Sequence, residues 1–93
     1  MADGDVTRVG LIDDDSLVRA GLAMILGADP QIEVVAQGDD GAEAVTLVQK
    51  HRPDVLLMDV RMPRLDGIAA TEAVSALPNP PKIIMLTTFD MDE

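Results

Sequence analysis

Cysteine is absent from this chain of 93 residues, so it can form neither a disulfide nor a thiolate metal site. A reducing compartment is compatible with that. Basic residues are scarce. Seven Lys and Arg stand against 17 Asp and Glu, a formal net charge of -10, which argues against a nucleic-acid backbone as the direct partner because like charges repel. A cation is the more natural companion. No apolar run approaches the roughly 20 residues that a membrane span needs, and residues 1–5 are short, acidic and polar, unlike a signal peptide. No GxxxxGK[ST] or GxGxxG follows any apolar run, which removes the usual phosphate cradle of a nucleotide-binding module. At this length one small domain and one core fit. The expectation is a soluble, cytoplasmic protein without membrane association.

What is present is a regular alternation of apolar segments. Residues 8–13 (RVGLID) form a short apolar run ending in acid. Leu17, Val18, Gly21, Leu22, Ile25 and Leu26 follow with the spacing of one helical face. Asp15 or Ser16 can cap that helix by accepting a backbone N–H, while Gly27 and Pro30 stop it. A second run, residues 32–36 (IEVVA), leads through Gln37-Gly38-Asp39-Asp40-Gly41 into a helix over 42–51 with Ala44, Val45, Leu47 and Val48 as its buried stripe. A third strand over 55–58 (VLLM) precedes a proline-bearing loop and a helix from about 66 to 77, in which Ile68, Ala69, Val74 and Leu77 are apolar. Asn79-Pro80-Pro81 breaks that helix, and residues 82–88 (KIIMLTT) form a fourth strand.

Strands alternating with helices imply parallel pairing through right-handed crossovers, with helices on both faces of one sheet. The runs at 55–58 and 83–86 are apolar at every position, as strands buried on both faces should be. Open parallel sheets bind ligands in the crevice at the carboxyl ends of their strands. Here those ends read Asp13-Asp14-Asp15, Asp59 and Thr87-Thr88, and only Gln37-Gly38 lacks such a signal. Each has an ordinary explanation: a helix amino terminus favours carboxylates by about 0.3–1 kcal/mol, an acid can end a strand in solvent, and threonine is a good strand former. Three consecutive aspartates nevertheless exceed what capping needs, and a carboxylate closing a buried strand is costly unless it binds or reacts.

If strands one and three are neighbours, Asp13, Asp14 and Asp59 converge across the 46 positions that separate Asp13 from Asp59. Two carboxylates 4 Å apart repel by about 4 kcal/mol at an effective dielectric of 20. Such a cluster takes up protons or recruits a cation. Oxygen-only ligands suit a hard ion such as Mg2+ that keeps several waters and shares its remaining positions with a phosphate. Asp59 is then available as a nucleophile toward an incoming phosphoryl group, and the Thr87 hydroxyl can donate a hydrogen bond to the product.

Leu11-Ile12-Asp13-Asp14, the segment Asp59-Val60-Arg61-Met62-Pro63 with Asp66-Gly67, and Ile83-Ile84-Met85-Leu86-Thr87 together resemble the receiver domains of bacterial two-component response regulators. The wording Ser16-Leu17-Val18-Arg19-Ala20-Gly21-Leu22 and Leu86-Thr87-Thr88-Phe89-Asp90 is most similar to the NarL/FixJ (LuxR-type) subfamily, whose members usually carry a carboxyl-terminal helix-turn-helix domain. The resemblance implies an α/β, flavodoxin-like, doubly wound parallel sheet with strand order 2-1-3-4-5. It also implies that Asp59 is the phosphoacceptor for a histidine kinase. Mg2+ would be held by Asp14, by Asp13 partly through water, by Asp59 and by the backbone carbonyl of Arg61. Thr87 would move toward the phosphoryl oxygens and draw the following loop with it, shifting a two-state equilibrium. Gly67 and Pro63 would shape the loop beside the acceptor. Such a domain is a signalling module rather than an enzyme, although it assists its own phosphorylation and dephosphorylation. His51 falls near the end of the second helix, where the dipole suits it, and is not read as a phosphodonor.

The family has five strand–helix pairs, whereas this sequence supplies four strands and three helices, so residues 1–93 read as the amino-terminal part of one receiver domain. The lysine that the family carries after strand five has no counterpart: Lys82 opens strand four and Lys50 ends helix two. The strand at 83–86 would be left as an edge, which invites a homodimer or a swapped dimer. The expectation is that the natural protein continues through the rest of the receiver into a DNA-binding domain, and that DNA is met only through that domain. Two other readings fit less well. A haloacid dehalogenase-type phosphatase wants its second aspartate where this chain has Arg61. A receiver-like interaction scaffold that is never phosphorylated has no need of clustered charge.

Overall fold

The structure is a computed structural model, and it describes residues 6–60 and 66–86. Four strands, β1 (Thr7–Ile12), β2 (Ile32–Gly38), β3 (Val55–Asp59) and β4 (Lys82–Leu86), alternate with three helices, α1 (Ser16–Gly27), α2 (Ala44–His51) and α3 (Gly67–Ser75). A single 3-10 turn, Gly41–Glu43, leads into α2, so the second helix starts two residues later than its apolar periodicity suggests. All strand pairings are parallel, and the sheet order is β2-β1-β3-β4. This is the flavodoxin-like arrangement expected from the alternation.

The order assigns the helices to faces. The β1-α1-β2 crossover runs one way along the sheet, whereas β2-α2-β3 and β3-α3-β4 run the other. Right-handed connections therefore place α1 on one face and α2 with α3 on the opposite face. The core lies on the two-helix side. Ile12, Leu56 and Met58 from the strands pack there with Ala44, Leu47 and Val48 of α2 and Ala70 and Val74 of α3, and Ile83 and Met85 of β4 close against them. Alternation along each strand sends Val9, Leu11, Leu57 and Ile84 to the α1 face.

That asymmetry corrects one expectation. The six residues read as a single buried face of α1 divide into two rows: Leu22 and Leu26 are half-buried, but Leu17 is 82% and Ile25 71% exposed. One helix rests on one sheet face, so only the row facing β1 and β2 is covered among the described residues. The apolar surface of α1 is wider than its contact. Likewise β4, apolar from Ile83 to Leu86, is the edge of the sheet formed by the described residues, and Ile84 remains half-exposed rather than buried on both faces. In α3 the buried positions are Gly67, Ala70 and Val74, while Ile68 faces outward.

The helix ends follow the local chemistry. Asp15 caps α1 by accepting from the N–H of Leu17 at 2.9 Å and of Val18 at 3.2 Å, and Asp66 caps α3 through the N–H of Ala69 at 2.9 Å. Helix α2 ends with Lys50 and His51 in its last turn, where the Lys50 charge suits the dipole. Arg52 then turns the chain left-handed, with φ 48°, and its carbonyl accepts from the Arg8 guanidinium at 2.7 Å. After α3, Asn79 takes the second left-handed position, φ 53°, just ahead of Pro80 and Pro81.

Candidate functional site at the carboxyl edge of the sheet

β1 and β3 are direct neighbours, with Ile12 opposite Met58, so the next residue on each strand, Asp13 and Asp59, emerges at the same edge. The Asp13 N–H donates to the Gly38 carbonyl of β2 at 3.1 Å, which carries the strand direction one residue beyond β1. Asp59 is the last residue of β3 and stands opposite Leu86 of β4; the N–H of Val60 donates to the Leu86 carbonyl at 3.2 Å. Each acid is thus placed by the parallel ladder rather than by a loop.

One carboxylate oxygen from each of Asp13, Asp14 and Asp59 lies within 4.8 Å of the other two. Asp13 and Asp59 are buried, 4% and 7% exposed, whereas Asp14 faces solvent. At that separation the buried pair repels by about 3.5 kcal/mol at an effective dielectric of 20. Burial, above all, raises the Asp13 carboxyl above its ordinary value of 3.8; the neighbouring charges of Asp59, Asp14 and Asp15 add to this, and the Asp15 N–H donating to it works the other way. That N–H reaches Asp13 Oδ1 at 2.9 Å. The donors are all oxygens and their charges repel one another, so these three residues could hold a hard cation.

The third wall is α3. The Gly67 N–H donates to the Val60 carbonyl at 2.9 Å, directly after β3. A Cβ on Gly67 would fall 2.5 Å from the Asp59 carbonyl oxygen and 2.7 Å from Met85 Cε, so no side chain fits there. Thr71 ties the same corner together: its hydroxyl donates to the Gly67 carbonyl at 2.6 Å and contacts the Met85 sulfur at 3.3 Å.

Of the residues singled out from the sequence, Asp13, Asp14 and Asp59 are brought together. Arg61, Pro63 and Thr87 lie outside the described residues. Two polar residues were not singled out. Asp40 is fully buried and caps the 3-10 turn through the Ala42 N–H at 2.8 Å. Arg19 reaches back from α1 to donate to the Asp13 carbonyl at 2.6 Å. The clue to Arg19 was its place one helical turn after Asp15, the cap that follows the acidic pair.

The model of the response regulator receiver domain matches residues 9–93. The transcriptional regulatory protein LiaR of Bacillus subtilis is 49% identical over 86 residues, which span 92% of this chain and 41% of LiaR. A protein-glutamate methylesterase/protein-glutamine glutaminase of Anaeromyxobacter dehalogenans is 45% identical over 92% of this chain and 25% of its own length. The chain therefore spans about two fifths of one relative and a quarter of the other. Among solved structures, the signal receiver domain of the response regulator NarL from Mycobacterium tuberculosis superposes with a TM-score of 0.85 at 36% identity, covering 92% of this chain and 69% of that one. With matching sequence over nearly its whole length, matching topology and three carboxylates gathered at the carboxyl edge, this chain belongs to the response regulator receiver domain family.

Proposed function

We propose that Asp59 is the phosphoacceptor of this receiver and that a histidine kinase supplies the phosphoryl group. An Asp59 Oδ atom attacks phosphorus, the P–N bond of the kinase phosphohistidine breaks, and its electron pair returns to the imidazole, which takes up a proton. The product is an acyl phosphate. Asp13, Asp14 and Asp59, with the backbone carbonyl of Arg61, are the residues that would hold Mg2+, whose charge, when bound, offsets that of the carboxylates and of the incoming phosphoryl oxygens. Thr87 is proposed to donate its hydroxyl to a phosphoryl oxygen and so convert the charge change into movement of the chain after β4.

The observation that carries this reading is the convergence of the three carboxylate oxygens within 4.8 Å at the end of the strand that bears Asp59. Similarity to LiaR favours a transcriptional output, reached through a DNA-binding domain beyond the receiver. Among the described residues no helix is long and apolar enough to cross a membrane, and phosphotransfer from a kinase would take place in the cytoplasm.

The test is incubation with Mg2+ and acetyl phosphate followed by assay for hydroxylamine-labile phosphate, run in the full-length protein. One equivalent is expected. It should vanish in Asp59→Asn and persist in Asp66→Asn, whose residue serves as the α3 cap. A protein that stayed unlabelled would be a receiver-like scaffold instead.

A further inference from the structure

We infer that Arg19 is a positioning residue for the acidic site, holding the Asp13–Asp14 peptide so that Asp14 faces the other two carboxylates. The inference rests on the cation site proposed above. Arg19 lies in the first turn of α1, half-buried, and its Nη1 donates to the Asp13 carbonyl oxygen at 2.6 Å. That carbonyl belongs to the same planar peptide unit as the Asp14 N–H, so fixing it fixes the direction in which the chain enters Asp14.

The three aspartates differ in how they are held. Asp13 is buried, its own N–H is tied to β2, and its carboxylate accepts from the Asp15 N–H at 2.9 Å. Asp59 is buried as the last residue of β3. Asp14 is exposed, and no hydrogen bond to its side chain is present among the described residues. Only the peptide planes on either side of it determine where it points. The Asp15 side is held directly by the Asp15 N–H donating to Asp13 Oδ1, and one peptide further on by the cap on α1 and by the Arg19 N–H donating to the Asp15 carbonyl at 2.9 Å. The Asp13 side is locked by the Arg19 guanidinium. Arg19 therefore grips the chain before Asp14 through its side chain, directly at the flanking peptide, and after it through its backbone, one peptide further on.

The alternative is that Arg19 only staples a loop or tunes charge, and the two accounts predict opposite signs. A guanidinium near a cation site repels the cation, so as a charge alone its removal tightens metal binding. As a tether its removal frees Asp14, and binding weakens because the ligand must be ordered at the moment of binding. A lysine keeps the charge but lacks the planar fork.

The experiment is Mn2+ titration followed by electron paramagnetic resonance on the parent, Arg19→Gln and Arg19→Lys proteins, with apo unfolding midpoints measured alongside. Arg19→Gln is expected to weaken Mn2+ binding about tenfold, the lower end of the range for residues that orient metal ligands. Arg19→Lys should fall between the variant and the parent, and both apo midpoints should stay near the parent value. Binding by Arg19→Gln as tight as the parent, or tighter, would overturn the inference while leaving the metal site standing. If that variant does not fold, Arg19→Lys decides by the same criterion. A parent that binds no Mn2+ would overturn the metal reading and this inference together.

Discussion

Gly67 stands so close to Asp59 that a single added carbon would overlap the Asp59 carbonyl oxygen. The first turn of α3 is thereby pressed onto the end of β3, and the hydrogen bond from Gly67 to Val60 keeps it there. In Gly67→Ala the new methyl has to displace backbone as well as the mobile end of Met85. A loss of about 1–3 kcal/mol in stability is expected, the usual cost of overpacking. Urea unfolding measures it. Acetyl phosphate labelling of Asp59 should fall at the same time, since the strand end itself must shift. Unchanged stability would mean that the corner yields freely.

Asp13 predicts a pH dependence with a definite sign. Its carboxyl is raised above 3.8 in the folded protein, chiefly by burial. Between 3.8 and that higher value the folded state holds more protons than the unfolded state, so this group's contribution to stability falls as pH rises. The penalty is complete once both states are ionised and disappears at acid pH, where both are protonated. Asp13→Asn, which keeps an oxygen for the Asp15 N–H, should therefore unfold at higher urea than the parent at neutral pH without divalent metal. The advantage should shrink as pH is lowered toward 3.8. A constant difference at every pH would contradict it.

Mg2+ should stabilise the protein by mass action. At a metal concentration ten times the dissociation constant the gain is about 1.4 kcal/mol, visible as a higher melting temperature and reversed by EDTA. Asp14→Ala and Asp59→Asn remove one ligand each and should abolish most of the shift. Asp29→Ala, at the far side of α1, should leave it intact.

Exposure on α1 separates two kinds of apolar residue. Leu17→Ser and Ile25→Ser alter side chains that mostly face outward, and each should change stability by no more than about 0.5 kcal/mol. Leu56→Ala, in a side chain with no exposed surface, should cost about 2–5 kcal/mol. Chemical denaturation of the three variants is sufficient. Equal costs would show that the outer row of α1 is covered in solution.

The pattern of apolar runs and breakers was enough to recognise four parallel strands, three helices and the sheet edge at which the aspartates gather. Those properties are local: a strand is apolar because both its faces are covered, and Asp15, Asp66 and Gly27 mark helix ends through their own backbone chemistry. Asp59 was legible as a candidate because a carboxylate directly after Leu56-Leu57-Met58 is costly unless it binds or reacts. The meeting of Asp13 with Asp59 depends on which strands are neighbours, and periodicity does not encode adjacency. The exposed row on α1 was misread for a related reason. Leu17 and Ile25 have the spacing of a buried face, but burial depends on what lies opposite, and only one row of the helix meets the sheet. Arg19 was invisible as a tether because nothing in its neighbours indicates that its side chain turns back six residues, two beyond the cap, to a backbone carbonyl. Local residue chemistry determined the elements and marked Asp59 as a candidate; packing in three dimensions alone decided which carboxylates share a site and what holds them, because those distances are set by strand order and not by separation along the chain.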